Sequence, residues 1–195
     1  QFNDDSRQQI WPFLRYYDSA LFQDDYIATY YLDCLPIGYK GLYRSWSAIG
    51  DPRVLSKVIP YLLLLVVLAS VGVTSRKLGG RIAGWGAVAL CLSSSYFLGR
   101  MSGGLPRSFA LPLLAVTAMA LTLGRAMLIA LTACLGAAFY PPVGVVCGLV
   151  LAVYLLLLRT GNRRGAEDWS FKKRFAIVLI TAGLCVLILL PPMIG

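Results

Sequence analysis

Histidine is missing from this chain, and acidic side chains are scarce outside its first quarter. Without an imidazole, neither a histidine-ligated zinc site nor a histidine-based catalytic relay is expected. Charged residues make up only 14% of the chain, too few to cover the surface of an ordinary soluble domain. The cysteines have no metal-ligand spacing and are predicted to pack as small apolar side chains. They are Cys34, Cys91, Cys134, Cys147 and Cys185.

Apolar residues make up 58% of the chain and are concentrated in long blocks that contain almost no charge. Four of the five blocks have the length at which one helix, rising about 1.5 Å per residue, crosses roughly 25–30 Å of hydrocarbon. The 33-residue block 126–158 is too long for one crossing. The pair Pro141-Pro142 near its middle predicts a break, because proline lacks a backbone donor and disfavours helix in the preceding residue.

These blocks predict an all-α integral membrane fold with about six transmembrane helices, preceded by an extracytoplasmic segment with interfacial amphipathic helices. Residues 1–52 are predicted to form the outer segment, and residues 53–195 the transmembrane domain. The first residues are polar and unlike a signal peptide. We expect a fragment that lacks an upstream helix and continues downstream. The predicted spans are residues 56–75, 82–99, 108–124, 126–140, 142–158 and 174–191.

The net charge of +9 follows the predicted membrane topology and is not typical of a nucleic-acid-binding surface. Seven of the nine acidic residues fall within the first 51 positions. If that segment lies outside, most of the lysines and arginines face the cytoplasm, as the positive-inside rule requires. The pattern predicts a membrane protein whose N-terminal segment is extracytoplasmic. The cytoplasmic cations are Arg76, Lys77, Arg81, Arg125, Arg159, Arg163, Arg164, Lys172, Lys173 and Arg174.

Two arginines depart from this pattern. Arg100 and Arg107 flank a short loop, residues 101–106, that falls on the predicted outer side. They are interpreted either as side chains that snorkel to anionic headgroups or as a clamp for phosphate. The clamp is chemically sensible because the forked guanidinium matches phosphate oxygens, and Gly103-Gly104 lets backbone N–H groups approach.

The outer segment is rich in tyrosine and tryptophan, which prefer the headgroup level of a membrane. Apolar residues between Ile10 and Leu21 recur at helical spacing and predict an interfacial helix, and Pro36-Ile37-Gly38 predicts a turn. The segment also contains two aspartate doublets. One interpretation is that they cap helices; the other is that they act as a general base, or as ligands of a cation or of sugar hydroxyls. The doublets are Asp4-Asp5 and Asp24-Asp25.

An outer loop that opens with an acidic pair after a membrane helix resembles the GT-C superfamily of polytopic glycosyltransferases. The stretches 3–10, 21–28, 103–113 and 139–143 look like a bacterial, uncharacterised branch of such proteins. The resemblance implies a location in a bacterial inner (plasma) membrane. It also implies a sugar donor linked to polyprenyl phosphate and presented from the outer leaflet. It implies Asp4 or Asp5 as the catalytic base, with Asp24 and Asp25 as a supporting substrate-binding pair. Some members use a divalent cation and others do not, so the metal requirement stays open.

In this interpretation Arg100 and Arg107 hold the donor phosphate. The partners are a lipid-linked sugar and membrane lipid, and no nucleic acid; the sequence does not give the oligomeric state. Two alternatives stay open. A transporter or lipid-handling permease is disfavoured because the spans lack acids at mid-membrane. A non-catalytic scaffold is compatible with the small residues of the spans, but these would serve any polytopic protein.

Overall fold

The computed structural model describes residues 9–157 and 170–190, without the side chains of residues 96, 97, 100 and 102. All regular structure in these residues is helical, which confirms the all-α prediction. Three short helices form the outer segment: α1 (Leu14–Tyr17), preceded by the 3₁₀ turn Trp11–Phe13, then α2 (Tyr26–Cys34) and α3 (Ile37–Ser47). The longer helices are α4 (Pro52–Ser93), α6 (Ala110–Leu123), α7 (Ala126–Phe139), α8 (Pro141–Ala152) and α9 (Phe171–Leu189).

The interfacial helix expected between Ile10 and Leu21 is shorter than predicted. The backbone leaves the helical region at Asp18 (φ −131°, ψ 107°), so α1 ends at Tyr17. The carboxylate of Asp18 accepts a hydrogen bond from the backbone N–H of Ala20 at 3.0 Å, a local bond that competes with helix formation. The turn predicted at residues 36–38 is also displaced: α3 begins at Ile37, directly after Pro36.

Helix α4 is a hairpin of two antiparallel arms. Gly80 has a left-handed φ of 79° and separates the first arm (residues 52–79) from the second arm (residues 81–93). A Cβ atom placed on Gly84 would lie 3.1 Å from Cβ of Arg76, and one on Gly72 would lie 3.2 Å from a methyl group of Val88. Residues at equal distances before and after Gly80 therefore face each other across the two arms. This agrees with the sequence analysis, which placed a loop between the apolar blocks 58–74 and 82–99.

The remaining long helices run up and down: α6 packs against the hairpin, α7 against α6 and α8, and α9 against α7 and α8. Gly124 adopts a left-handed conformation (φ 72°) at the end of α6, and the N–H of Arg125 bonds the carbonyl of Ala120 at 2.9 Å, which closes a tight turn into α7. The predicted break at the proline pair is confirmed: α7 ends at Phe139 and α8 begins at Pro141. A π-helix, Val153–Leu157, follows α8.

Among residues 9–157 and 170–190, two helical stretches are long and apolar enough to cross a membrane, and the most apolar part of each is largely uncovered. They are Pro52–Ser93 and the stretch Pro106–Leu123, whose most apolar windows are only 28% and 22% buried. Helix α7 and the stretch Pro141–Leu156 are apolar but shorter. The core helix of a soluble protein would be mostly covered, so this exposed apolar surface favours association with a membrane.

Helices α7 and α8 pack backbone against backbone. A Cβ atom on Gly136 would lie 2.5 Å from Cα of Gly144, and one on Gly144 would overlap the backbone nitrogen of Ala137. Nearby, the buried hydroxyl of Thr117 on α6 lies 2.8 Å from that of Thr132 on α7 and 3.2 Å from the sulfur of Cys147 on α8. Small residues and interhelical hydrogen bonds are the usual means of helix association in an apolar medium.

Replacing Gly144 by alanine should therefore destabilise the α7–α8 pair by about 1–3 kcal/mol, because the new methyl group has no space. The matched control is Gly148→Ala, one turn further along α8, where a Cβ atom would meet nothing within 4 Å. That change should be neutral or stabilising by up to about 1 kcal/mol, because alanine favours helix over glycine. Unfolding of the two variants in detergent micelles measures the difference, and equal midpoints would contradict the packing.

Candidate functional site

The carbonyl oxygen of Gly104 joins the outer segment to the helix bundle. The hydroxyl groups of Tyr39 and Tyr43, one turn apart on α3, each donate a hydrogen bond of 3.0 Å to this oxygen. Both tyrosine side chains are fully buried. A carbonyl oxygen has two lone pairs, so the two donors satisfy it completely, and each of the two buried hydroxyl groups has an acceptor.

Only glycine fits at position 104. Its backbone has a left-handed φ of 62°, which residues with a side chain rarely adopt. A Cβ atom there would lie 2.9 Å from Cα of Ser56 and 2.9 Å from the hydroxyl oxygen of Tyr43. Gly104 thus contacts both the start of the hairpin and the outer segment.

Aromatic rings extend this contact from the outer segment to the end of α7. We call this set the aromatic junction. Its ring centroids are 4.6 Å apart for Phe13 and Tyr43, 6.4 Å for Tyr39 and Phe109, and 4.5 Å for Phe109 and Phe139. Such contacts add about 0.5–1.5 kcal/mol each beyond area burial. The aromatic junction consists of Phe13, Tyr39, Tyr43, Phe109 and Phe139.

Burial also fixes the protonation state of the two phenols. Removal from water raises the pKa of Tyr39 well above its usual value and raises the pKa of Tyr43 to about 12. A phenolate has no proton to donate to the Gly104 carbonyl, so the junction requires both hydroxyl groups to stay neutral. The tyrosines therefore act here as hydrogen-bond donors that position a loop.

The predicted phosphate clamp lies in the loop that this junction holds. Arg107 is in the 3₁₀ turn Pro106–Phe109, three residues after Gly104, and its side chain is exposed. The backbone of Arg100 belongs to α5 (Ser95–Met101), and its side chain lies outside the described residues. The backbone of both residues is thus at the end of the bundle that meets the outer segment.

Of the second aspartate doublet, one residue has a structural task. The Oδ1 atom of Asp25 accepts hydrogen bonds from the backbone N–H groups of Ile27 at 2.8 Å and Ala28 at 3.1 Å, which caps α2. Asp24 is exposed. This geometry agrees with the interpretation of the doublet as a helix cap, and the hydrogen bonds of Asp25 hold its carboxylate at the start of α2.

The first doublet, Asp4 and Asp5, lies outside the described residues. The chain that follows it is well packed: Ile10 is 3% exposed, and the ring of Phe13 is fully buried within the aromatic junction. Ile10 follows Asp5 by five positions in the sequence. Among the described residues, no group of three or more histidine, cysteine or acidic side chains is arranged to bind a metal ion.

The sequence interpretation missed the tyrosines that form the junction. It assigned the tyrosine-rich segment to the headgroup level, and Tyr26 (90% exposed) and Tyr30 (67% exposed) do remain accessible. The signal that distinguishes Tyr39 and Tyr43 is their spacing of four residues, which places both hydroxyl groups on one face of a helix. Their acceptor is more than 60 positions away in the chain, and no local pattern could identify it.

Comparison with known proteins adds no assignment. No protein-family model, no curated protein and no solved structure matches this chain. Its function has to be argued from its residues and their geometry.

The junction should respond to alkaline pH. The folded state holds the proton of Tyr43 up to a pKa of about 12, against an ordinary value of 10, so the stabilisation is complete below pH 10 and is lost as pH rises toward 12. Between pH 8 and pH 11 the free energy of unfolding should fall by about 1 kcal/mol through Tyr43 alone.

The double variant Tyr39→Phe/Tyr43→Phe should be about 1–3 kcal/mol less stable at pH 8, because the Gly104 carbonyl loses its donors.

Unfolding in detergent at pH 8 and pH 11 measures both effects. The double variant should also lose less stability on alkalinisation than the unchanged chain. Tyr26→Phe is the control, since that side chain is 90% exposed and should change neither value. A double variant that keeps the full pH dependence would refute the role given to these hydroxyl groups.

Proposed function

We propose that this chain is part of an integral membrane glycosyltransferase that uses a sugar linked to polyprenyl phosphate, with Asp4 or Asp5 as base and Arg100 and Arg107 on the donor phosphate. In this proposal the long helices form six spans, and the outer segment covers the end of the bundle where the sugar is transferred. One observation supports it above the others. The hydrogen bonds from Tyr39 and Tyr43 to the Gly104 carbonyl connect the loop that contains the arginines to the outer segment, in which the first aspartate doublet lies.

The geometry of the loop suits a phosphate clamp. Tyr39, Tyr43 and Ser56 fix Gly104 from two sides, so the backbone before Arg107 has little freedom. A guanidinium on a fixed backbone loses less entropy when it binds a phosphate than one on a free loop. The side chain of Arg107 is exposed and thus accessible to a donor that arrives from the lipid.

The proposed chemistry is a direct substitution at the anomeric carbon. The acceptor hydroxyl attacks that carbon and forms the new glycosidic bond, while the bond from the carbon to the donor phosphate oxygen breaks. The carboxylate of Asp4 or Asp5 takes the hydroxyl proton. Guanidinium groups stabilise the negative charge that develops on the departing phosphate. Asp24 remains a candidate for contacts with sugar hydroxyls, while Asp25 is engaged as a cap.

Asp4→Asn and Asp5→Asn test the base. In full-length protein reconstituted with a polyprenyl-phosphate sugar, the variant that removes the base should lower transfer by at least about 100-fold, the usual contribution of general-base catalysis. Asp33→Asn is the matched control, because Asp33 is an exposed aspartate of the same segment whose contact is a 3.7 Å ion pair with Lys40. Full transfer by both Asp4→Asn and Asp5→Asn would exclude a base in this doublet.

Arg107→Gln tests the clamp independently of the sugar. Binding of polyprenyl monophosphate to the purified protein should weaken about 10-fold, since a charge-assisted hydrogen bond contributes about 1.5–3 kcal/mol. Arg107→Lys should recover part of the loss, because lysine keeps the charge without the fork. Arg44→Gln is the control: Arg44 lies on α3 with its guanidinium 5.6 Å from the ring centre of Tyr16. Equal affinities for the Arg107→Gln and Arg44→Gln proteins would exclude the clamp.

A further inference from the structure

A groove runs between the two arms of the α4 hairpin near its tip. Its volume is about 290 Å³. Space of that size corresponds to roughly ten water molecules at about 30 Å³ each, which suits part of one lipid and not a whole one. The lining residues come from one face of each arm. They are Leu68, Ala69, Gly72, Val73, Arg76, Arg81, Gly84, Trp85 and Val88.

The character of the lining changes along the groove. Arg76 and Arg81 lie at the end next to Gly80, while Leu68, Val73 and Val88 lie further from the tip. A cationic end followed by an apolar channel matches an amphiphile whose anionic group is at one end. Trp85, 75% exposed, lies one helical turn from Arg81, and tryptophan prefers the headgroup level of a membrane.

Within residues 9–157 and 170–190, neither Arg76 nor Arg81 forms an ion pair with an acidic side chain. The chain contains no aspartate or glutamate between Asp51 and Glu167. Asp51 is already paired with Arg53 at 2.6 Å at the opposite end of the first arm. The two guanidinium groups beside the apolar groove thus present positive charge to an anion from outside the chain, and basic pockets between membrane helices bind anionic lipid headgroups in this way.

We propose that this groove binds an anionic phospholipid of the surrounding leaflet, with its phosphate on Arg76 and Arg81 and one acyl chain along Leu68, Val73 and Val88. The site is distinct from the proposed donor site. Ser56, which touches Gly104, is 24 positions before Gly80 in the same arm, or about 36 Å at 1.5 Å per residue. The two sites thus lie at opposite ends of the hairpin, and the lipid site does not depend on any transferase activity.

Native mass spectrometry of the full chain in detergent tests the site with two lipids of identical acyl chains. Phosphatidylglycerol is anionic, and phosphatidylcholine has no net charge. The unchanged protein should retain phosphatidylglycerol at a concentration at least about 10-fold lower than phosphatidylcholine. Arg76→Gln/Arg81→Gln should abolish this preference. Ala69→Leu, which fills the groove and keeps both charges, should weaken retention of phosphatidylglycerol.

Lys77→Gln is the matched control, because Lys77 lies between the same two arginines in sequence but does not line the groove. It should retain the preference. A loss equal to that of the double variant would show attraction to surface charge alone and overturn the site. Glycerol phosphate, which has the headgroup charge without acyl chains, should not displace the lipid at equal concentration; displacement would show a phosphate site in place of a lipid site. Unchanged binding by the double variant would also refute the proposal.

Discussion

The rest of the structure depends on one carbonyl oxygen. Gly104 accepts hydrogen bonds from two buried tyrosines of α3 while its α-carbon side lies against Ser56 of the hairpin, so three parts of the chain are fixed by a residue that has no side chain. A side chain at this position would separate them, and the loss of both hydroxyl groups would leave a buried acceptor without a partner, which costs about 1–3 kcal/mol. The loop that contains the candidate arginines is positioned by this contact.

From this junction the helices alternate in direction. The first arm of α4 runs away from it at Ser56, and the second arm returns toward it. Helix α6 runs away again, and α7 returns, so that its last turn lies beside the outer segment. A Cβ atom on Gly38 would lie 2.9 Å from Cβ of Ala138 in that turn. The backbone therefore groups Arg76, Lys77, Arg81 and Arg125 at the end opposite the outer segment. The positive-inside rule assigned these four cations to one side of the membrane, and the helix directions independently place them at one end of the bundle. The side of the membrane that this end faces is still a prediction from charge alone.

Sequence patterns predicted what local chemistry controls. The helical class, the reversal between the first two apolar blocks and the break at Pro141-Pro142 follow from periodicity or proline. The cap at Asp25 was one of two interpretations that the sequence left open. The failures have a different cause. The early end of α1 depends on a side-chain bond within residues 18–20, and the buried tyrosines depend on an acceptor that is distant in sequence. Helical spacing identifies a face of a helix but not the surface that the face contacts.

The hairpin groove exists for a reason that also concerns how helices associate in lipid. Gly72 and Gly84 bring the two arms so close that added methyl groups would lie 3.2 Å from Val88 and 3.1 Å from Cβ of Arg76. Close approach through small residues stabilises a helix pair where lipid offers no hydrophobic driving force, but it also leaves a strip without side chains beside the contact. Such a strip loses dispersion contacts if it stays empty. An acyl chain restores those contacts, and the arginines at the tip select a lipid that has a negative charge.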